Sequence, residues 1–413
     1  MRSMLLLLLL LAIQRQTSAQ TARLTGDNPG VQVTAATRLD WMSALANQSP
    51  SEVPAGWLSG YDSQQQTYEL SVPPAVAARK QLSLIVFIPP SARSNISRHW
   101  GTVCRKRGVL LAGVHAAGNS VDMPGRVRIV MDVLDDIRRR FPVDPDRTYL
   151  AGFSGGGRVA CSIAFALPEY FGGVIPVCAG GSLRPESWLR QRVIERLSIA
   201  QLTGEKDFNR GECERLHQTE MDEIGVRCRT WVTPGLGHGI PDGNVLQAAL
   251  GWLEEGLADR RRVSAEWPAS SQAAALTREE RAAALLAEGR LRLKTEQLFY
   301  SGLMQIKGVH VRWNDLPQAK MARQILIAAQ TDSGLSWEQQ DIAEQRRFLI
   351  ARARAVDAYA SGPLPGQYAQ QKSSMLKTAV QLWEQVVQDG QDASALAEAA
   401  RRLPVLRKIL RSE

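Results

Sequence analysis

The sequence predicts an α/β fold, in which a doubly wound, mostly parallel sheet is followed by a C-terminal all-helical domain. From about Tyr68 to Leu257, short apolar segments rich in β-formers alternate with segments of helical periodicity, which favours parallel strands joined by crossover helices. The strand segments are apolar throughout, as is typical of strands buried on both faces. After Arg260 the strand pattern stops, and alanine, arginine, glutamine and leucine dominate.

The first residues have the pattern of a signal peptide. Arg2 precedes an apolar run from Leu5 to Ile13, and Thr17 and Ala19 suit the residues before a signal cleavage site. The run is too short to span a bilayer as a helix, although an uncleaved anchor is the alternative interpretation. We therefore expect residues 1–19 to be removed and the protein to be secreted or periplasmic. The later sequence contains no apolar run that predicts a membrane span.

The remaining chain divides by pattern into four parts. Residues 20–66 are mixed in character and are expected to pack on the core, with a helix at "TRLDWMSALAN". Residues 67–259 carry the alternating strands and helices, and residues 260–275 read as a linker. Residues 276–413 predict four to six helices, with capping boxes at Thr277 and Ser336 as helix starts.

In the predicted sheet domain, strands and helices follow one another in a regular order. The predicted strands are "YELSVPP", "LSLIVFIPP", "GVLLAGVHA", "RTYLAGF", "GGVIPVCAG", "LSIAQLTG" and "VRCRTWVTPG". The predicted helices are "GRVRIVMDVLDDIRRRF", "GRVACSIAFAL", "GECERLHQTEMDEIG" and "VLQAALGWLEEGL".

The net charge of +9 is modest for 413 residues and comes in short arginine clusters. Because no long basic run with interleaved aromatic residues is present, we interpret these clusters as solvated helix surface and expect no nucleic-acid partner. We assign the binding of a protein or cell-envelope partner, as an open alternative, to the helical tail.

Five cysteines leave at least one thiol unpaired, and export would permit disulfides among the others. The favoured pairing is Cys213–Cys228, because these residues flank one short predicted helix. No cysteine or histidine spacing typical of a zinc site occurs, so no structural zinc site is expected.

Gly152-Phe153-Ser154-Gly155-Gly156 matches the pattern G-x-S-x-G between a predicted strand and a predicted helix. A nucleophilic serine in this position must project from a sharp turn, and glycines on either side avoid the steric clash that side chains would cause there. The pattern therefore indicates Ser154 as a nucleophile, with the Gly155 N–H placed to bind an oxyanion.

One acid and one histidine follow in the order that a serine triad on such a sheet requires. Asp207 follows the strand in "IAQLTGEKD", and His238 follows the next strand in "TPGLGHG". Because the carboxyl ends of parallel strands meet at one edge, Ser154, Asp207 and His238 are expected to converge. Glu205, Asp222 and Asp242 are the alternative acids. His115 is the other histidine that could line the site.

These residues give the chain a resemblance to a known superfamily. Through "DPDRTYLAGFSGGGRVA", "TGEKD" and "GLGHG", residues from about Tyr68 to Leu257 resemble the α/β-hydrolases. Within that superfamily they are similar to the secreted esterases that include polyhydroxyalkanoate depolymerases and feruloyl esterases. The resemblance implies hydrolysis of a small ester or an ester polymer through an acyl-serine intermediate, without a cofactor.

The sequence departs from this family in one loop. Members usually carry His-Gly where this chain has Pro89 and Pro90, which have no N–H to donate to an oxyanion. We expect the second oxyanion donor to come from Ser91 or Ala92. Two other functions stay open at this point: a serine peptidase of the prolyl-oligopeptidase type, and a non-catalytic binding protein on the same scaffold.

Overall fold

The computed structural model describes residues 24–45, 49–74, 81–264, 275–331 and 337–412. The predicted signal peptide at residues 1–19 and the predicted cap at Ser336 lie outside these ranges. The helix predicted to begin at Thr277 does so, with the capping box to Glu280 formed.

The core of the described chain is one eight-stranded sheet. Its strands are β1 Gly26–Gln32, β2 Thr67–Val72, β3 Leu82–Ile88, β4 Val109–Val114, β5 Val143–Phe153, β6 Gly173–Val177, β7 Ser198–Gly204 and β8 Arg227–Thr233. The spatial order is β1-β2-β4-β3-β5-β6-β7-β8. The pairs β1/β2 and β2/β4 are antiparallel, and β4, β3, β5, β6, β7 and β8 pair in parallel. The prediction of a mostly parallel sheet is confirmed.

Helices cover both faces of this sheet. Its helices are α1 Ile96–Arg107, α2 Met123–Arg140, α3 Gly155–Ala166, α4 Ser187–Arg196, α5 Thr219–Ile224 and α6 Gly243–Glu255, and a π-helical segment, Glu212–Gln218, leads into α5. On β3, Ile85 and Phe87 face the cluster that contains α1 and α6, whereas Leu84 and Val86 face the cluster that contains α2 and α3. The alternation along one fully buried strand explains why its sequence is apolar throughout.

The N-terminal segment joins the sheet instead of forming the predicted helix. β1 pairs with β2 at the sheet edge, and within residues 37–45, the described part of the predicted helix, only a single 3₁₀ turn, Met42–Ala44, forms. Asp40 accepts hydrogen bonds from Ser43 (2.6 Å), Ser49 (2.6 Å) and the indole of Trp313 (2.9 Å). Because Trp313 is 273 residues away from Asp40 in the chain, a tertiary contact acts on this local conformation in addition to helix periodicity.

The C-terminal part is entirely helical where it is described. Its helices are α8 Arg278–Arg292, α9 Phe299–Arg312, α10 Pro317–Thr331, α11 Trp337–Ala360, α12 Lys372–Asp389 and α13 Ala393–Ser412. They form two groups with separate apolar clusters, α8–α10 and α11–α13. The predicted linker 260–275 begins within a helix, α7 Leu257–Ser264, and residues 265–274 lie outside the described residues.

A buried ionic cluster attaches the first helical group to the sheet. Glu169 is fully buried and accepts hydrogen bonds from Arg192 (2.9 Å) and Arg281 (2.6 Å). Burial acts to raise the pKa of Glu169, but the guanidinium groups of Arg281 and Arg192 outweigh it and hold the pKa at about 2. The carboxylate therefore stays ionised and links α4 to α8.

The predicted Cys213–Cys228 disulfide is wrong, because all five cysteines are free thiols. The Cys213 thiol points to the Ala179 carbonyl (3.6 Å), whereas the Cys228 thiol lies against the side-chain oxygen of Gln218 (3.5 Å). The two side chains thus have different surroundings: Cys213 lies within the helical segment Glu212–Gln218, and Cys228 lies on β8.

Within the described ranges, no helix combines the length and the apolar character needed to cross a membrane.

Candidate active site

Ser154 occupies the sharp turn between β5 and α3. Its backbone has φ 55° and ψ −122°, a conformation that residues with a side chain rarely adopt. The Ser154 N–H donates to the Val177 carbonyl on the neighbouring strand (2.8 Å), which holds the turn against β6. This strain is the structural cost of a turn that projects the Ser154 hydroxyl beyond the carboxyl edge of the sheet.

The glycines flanking Ser154 are required by space, as the sequence pattern predicted. A Cβ on Gly152 would collide with the Gly156 carbonyl and lie 2.7 Å from the Gly157 nitrogen. A Cβ on Gly156 would collide with the Ile88 carbonyl at the end of β3. The turn therefore lets α3 begin directly against two strands.

Ser154, His238 and Asp207 form a hydrogen-bonded chain. The His238 Nε2 lies 3.0 Å from the Ser154 Oγ, and its Nδ1 lies 2.8 Å from the Asp207 Oδ1. An ionised carboxylate only accepts hydrogen bonds, so Nδ1 carries the proton and Nε2 is left to accept from the serine hydroxyl. The loops after β5, β7 and β8 thus bring together three residues that are far apart in the sequence.

The Asp207 carboxyl is buried and saturated with donors. Besides His238, it accepts hydrogen bonds from the Thr203 hydroxyl (2.7 Å) and the Asn209 N–H (3.0 Å). Burial acts to raise the pKa of Asp207, but the hydrogen bonds from His238, Thr203 and Asn209 outweigh it, so the pKa lies below its ordinary value. The carboxylate stays charged and fixes the tautomer and orientation of the imidazole.

The loop that carries His238 is fixed by the loop that carries Asp207. The Lys206 N–H donates to the Leu236 carbonyl (2.8 Å), and the Gly235 N–H donates to the Glu205 carboxylate (2.8 Å). Gly235 has φ 70°, in the left-handed region that favours glycine. Glu205, an alternative acid in the sequence, therefore contacts the histidine loop rather than the histidine.

Two phenylalanines lie next to the imidazole. Phe208 stacks on His238 with ring centroids 4.1 Å apart, and Phe153 packs at 4.9 Å. Phe208 is 44% exposed, an unusual environment for a phenylalanine. The sequence analysis missed this residue, although its position directly after Asp207 was a usable signal.

The predicted oxyanion donors lie in two separate segments. Gly155 is the first residue of α3, where the N–H groups of a helix have no partner within the helix. Ser91 lies in the exposed loop after β3, and its hydroxyl donates to the Arg93 carbonyl (2.9 Å). The backbone N–H of Ser91 has no hydrogen-bond partner among the described residues.

The remaining candidates from the sequence lie elsewhere or have structural partners. Asp242 caps α6 by accepting from the Asn244 and Val245 N–H groups, and Asp222 accepts from the Gln218 side chain. The His115 Nδ1 accepts from the Ser94 N–H (3.2 Å). None of these three groups joins the hydrogen-bonded chain of Ser154.

Cys178 is a further polar side chain next to Asp207 and His238. Its thiol, with Asp207 and His238, forms a cluster of three potential metal ligands within 4.8 Å of one another. Burial and the nearby Asp207 raise the pKa of the Cys178 thiol to about 12, so it stays protonated. Because His238 Nδ1 and the carboxylate already bond to each other, the cluster fits hydrogen bonding better than metal binding.

A cleft of about 540 Å³ lies beside α3 and is lined by Arg158, one helical turn after Ser154. The Arg158 N–H bonds to the Ser154 carbonyl (3.3 Å), and the Arg158 side chain lines the cleft together with Glu212 and Tyr368. Arg158 forms a bidentate pair with Glu212 and donates to the Tyr368 hydroxyl (3.2 Å). The helical tail therefore supplies one wall of this cleft, whose lining does not include Ser154, Asp207 or His238.

No protein-family model and no curated protein matches the chain. Solved structures do overlap with it. They include S-formylglutathione hydrolase (FrmB) from Staphylococcus aureus, with 14% identity and a TM-score of 0.36, over 46% of this chain and 92% of that chain. A thermostable esterase has 22% identity and a TM-score of 0.36, over 46% of this chain and 59% of that chain. A ferulic acid esterase has 17% identity and a TM-score of 0.35, over 48% and 92%. At these values the overlap does not bear on activity.

Proposed function

We propose that the protein is a serine hydrolase that cleaves carboxylic esters through an acyl-serine intermediate. The observation that carries the proposal is the hydrogen-bonded chain from Ser154 through His238 to the buried Asp207, built on a strained turn. The mostly parallel sheet, with antiparallel strands at one edge, fits the α/β-hydrolase type that the sequence resembles.

In the proposed first step, the Ser154 hydroxyl oxygen attacks the ester carbonyl carbon while His238 Nε2 takes its proton. The carbonyl electron pair moves onto the oxygen, and the Gly155 N–H donates to the resulting oxyanion. Asp207 stabilises the imidazolium that forms. The protonated His238 then donates its proton to the leaving alcohol oxygen, and the C–O bond of the ester breaks.

In the second step, water replaces the alcohol. His238 removes a proton from the water, whose oxygen attacks the acyl carbon, and the Ser154–acyl bond breaks as the proton returns to the serine oxygen. His238 is partly exposed and Asp207 is not, so water and substrate can reach the imidazole without reaching the carboxylate. None of these steps requires a cofactor.

The direct test is labelling with a fluorophosphonate, combined with hydrolysis of nitrophenyl esters of increasing acyl length. We expect the wild type to label and to turn over, and Ser154→Ala to do neither; loss of the nucleophile lowers kcat by about 10⁴-fold or more. Turnover of peptide amides but not of esters would indicate a peptidase. A folded wild type that neither labels nor turns over would contradict the proposal and favour a binding protein.

We also propose export, which rests on the N-terminal sequence pattern alone. The test is N-terminal sequencing of the protein from fractionated cells of its native host. A chain beginning at Gln20 in the periplasm or medium would support export, and a cytoplasmic chain beginning at Met1 would contradict it.

A further inference from the structure

The loop after β3, to which the sequence resemblance assigns an oxyanion donor, begins with two residues that have no N–H group to donate. Pro89 and Pro90 follow β3 directly, and neither has an N–H group. The loop nevertheless lies at the site, because a Cβ on Gly156 would lie only 3.2 Å from the Pro89 carbonyl carbon. A second donor must therefore come from later in the loop or from another segment.

Asn119 brings a side-chain amide to this place from the loop after β4. A Cβ on Gly155 would collide with the Asn119 Oδ1 and would lie 3.0 Å from its Nδ2. Both terminal atoms of the amide thus lie against Gly155. If the amide rotates so that its oxygen and nitrogen exchange places, the NH₂ group still lies next to Gly155. Gly155 is also the residue whose N–H faces the developing oxyanion in the proposed mechanism.

The backbone of Asn119 is fixed while its side chain is free to bind. Its N–H donates to the Pro90 carbonyl (2.8 Å), and the preceding Gly118 fits against Ser91, where a Cβ would lie 2.8 Å from the Ser91 carbonyl carbon. The residue is exposed, and its side chain has no hydrogen-bond partner among the described residues. The anchored backbone keeps the amide next to Gly155, and no hydrogen bond within the described residues has to break before the amide can donate.

We propose that the Asn119 side-chain amide is an oxyanion donor that acts together with the Gly155 N–H. As Ser154 attacks and the carbonyl electron pair moves onto oxygen, the Asn119 NH₂ donates a hydrogen bond to that oxygen, and no covalent bond of Asn119 changes. This inference rests on the proposed ester hydrolysis. It assigns to a side chain the task that the sequence resemblance gave to the backbone of the loop after β3.

The experiment compares Asn119→Ala, Asn119→Asp and the neighbouring Ser120→Ala with the wild type, using nitrophenyl acetate and fluorophosphonate labelling. We expect Asn119→Ala to lower kcat by about 10²- to 10³-fold with little change in KM, because the bond forms only in the transition state. Ser120→Ala, an exposed neighbour, should retain wild-type kcat. Thermal unfolding should be the same for all four proteins.

Asn119→Asp separates donation from structure. Its carboxylate repels the oxyanion at neutral pH, so its kcat should fall below that of Asn119→Ala. As pH falls and the carboxyl binds a proton, it regains an O–H donor, and the ratio of its kcat/KM to that of the wild type should rise. A merely structural role would give a ratio independent of pH.

Wild-type kcat in Asn119→Ala, with activity abolished in Ser154→Ala, would overturn the Asn119 inference alone and leave the donor to the Ser91 or Ala92 N–H. If Ser154→Ala retained full activity, the proposed function itself would fail.

Discussion

At the residue scale, the environment of Asp207 supports it as the acid of the proposed triad. Glu205, Asp222 and Asp242 were the alternative acids in the sequence, but of the four carboxylates only that of Asp207 contacts His238. Hydrogen bonds keep the pKa of Asp207 below its ordinary value despite burial. We expect Asp207→Asn to lower kcat by about 10⁴-fold, because the amide no longer enforces the productive tautomer. Steady-state kinetics on a nitrophenyl ester measures this.

Asp222→Asn is the matched control for this prediction. Asp222 accepts only an exposed hydrogen bond from Gln218, so its amide variant should keep wild-type kcat. A larger loss of activity in Asp222→Asn than in Asp207→Asn would contradict the assignment.

Phe208 gives a second prediction at this scale. Its ring stacks on His238, and such aromatic contacts contribute about 0.5–1.5 kcal/mol. We expect Phe208→Ala to lower kcat/KM by about 2- to 12-fold and Phe208→Tyr to retain most of it. Equal losses in both variants would show that stacking is not what Phe208 contributes.

The convergence of Ser154, Asp207 and His238 could be predicted from sequence because the chain order carries that information. Ser154, Asp207 and His238 each follow a strand, and the topology of a parallel sheet brings strand ends together. Phe208, Cys178 and Asn119 were not singled out as site residues, because only the conformations of their loops bring them to the site. His217, which is buried beside Glu212 (3.2 Å), was not singled out either.

At the element scale, the junction between β5 and α3 depends on the absence of side chains. A Cβ on Gly156 would collide with the Ile88 carbonyl, which belongs to a rigid central strand. We expect Gly156→Ala to destabilise the protein by at least about 1–3 kcal/mol, as overpacking does. Urea unfolding followed by circular dichroism measures the difference.

Gly251→Ala provides the comparison for that experiment. Gly251 lies within α6 with open space where a Cβ would be added, so alanine should stabilise the helix by about 0.4–1 kcal/mol. Destabilisation by both variants would indicate a general sensitivity to added side chains, not a steric requirement at the turn.

Element prediction failed in the N-terminal segment for identifiable reasons. β1 is mostly exposed and contains Pro29 and Gly30, so it lacks the apolar pattern of a strand. The predicted helix from residue 37 has suitable periodicity, but Asp40 is held by Ser49 and Trp313. In both places distant partners override the local pattern.

At the scale of the whole molecule, Glu169 connects the sheet domain to the helical tail. Replacing it by glutamine removes the buried carboxylate with which Arg192 and Arg281 form ion pairs. We expect Glu169→Gln to lower the free energy of unfolding by about 3–5 kcal/mol. Glu384→Gln, which breaks a half-exposed pair with Arg407, should change it by less than about 1 kcal/mol. Similar losses in both would contradict a special role for the buried cluster.

The same cluster predicts how stability depends on pH. The pKa of Glu169 is about 2 in the folded protein, below the ordinary value of 4.5. A carboxyl whose pKa is lower in the folded than in the unfolded protein stabilises the fold at pH values above its unfolded pKa. This contribution is lost as pH falls from about 4.5 towards 2. The thermal unfolding temperature of the wild type should therefore fall over this range, and it should fall more steeply than that of Glu169→Gln. Parallel pH profiles would show that Glu169 does not carry the effect.

The measurement that tests the central proposal most directly is mass analysis of the acid-quenched enzyme during turnover of a nitrophenyl ester. We predict that the acyl group is found on the tryptic peptide Thr148–Arg158, at Ser154, with one nitrophenol released per enzyme in an initial burst. Turnover without acylation of this peptide, or acylation on another residue, would contradict an acyl-serine mechanism at Ser154.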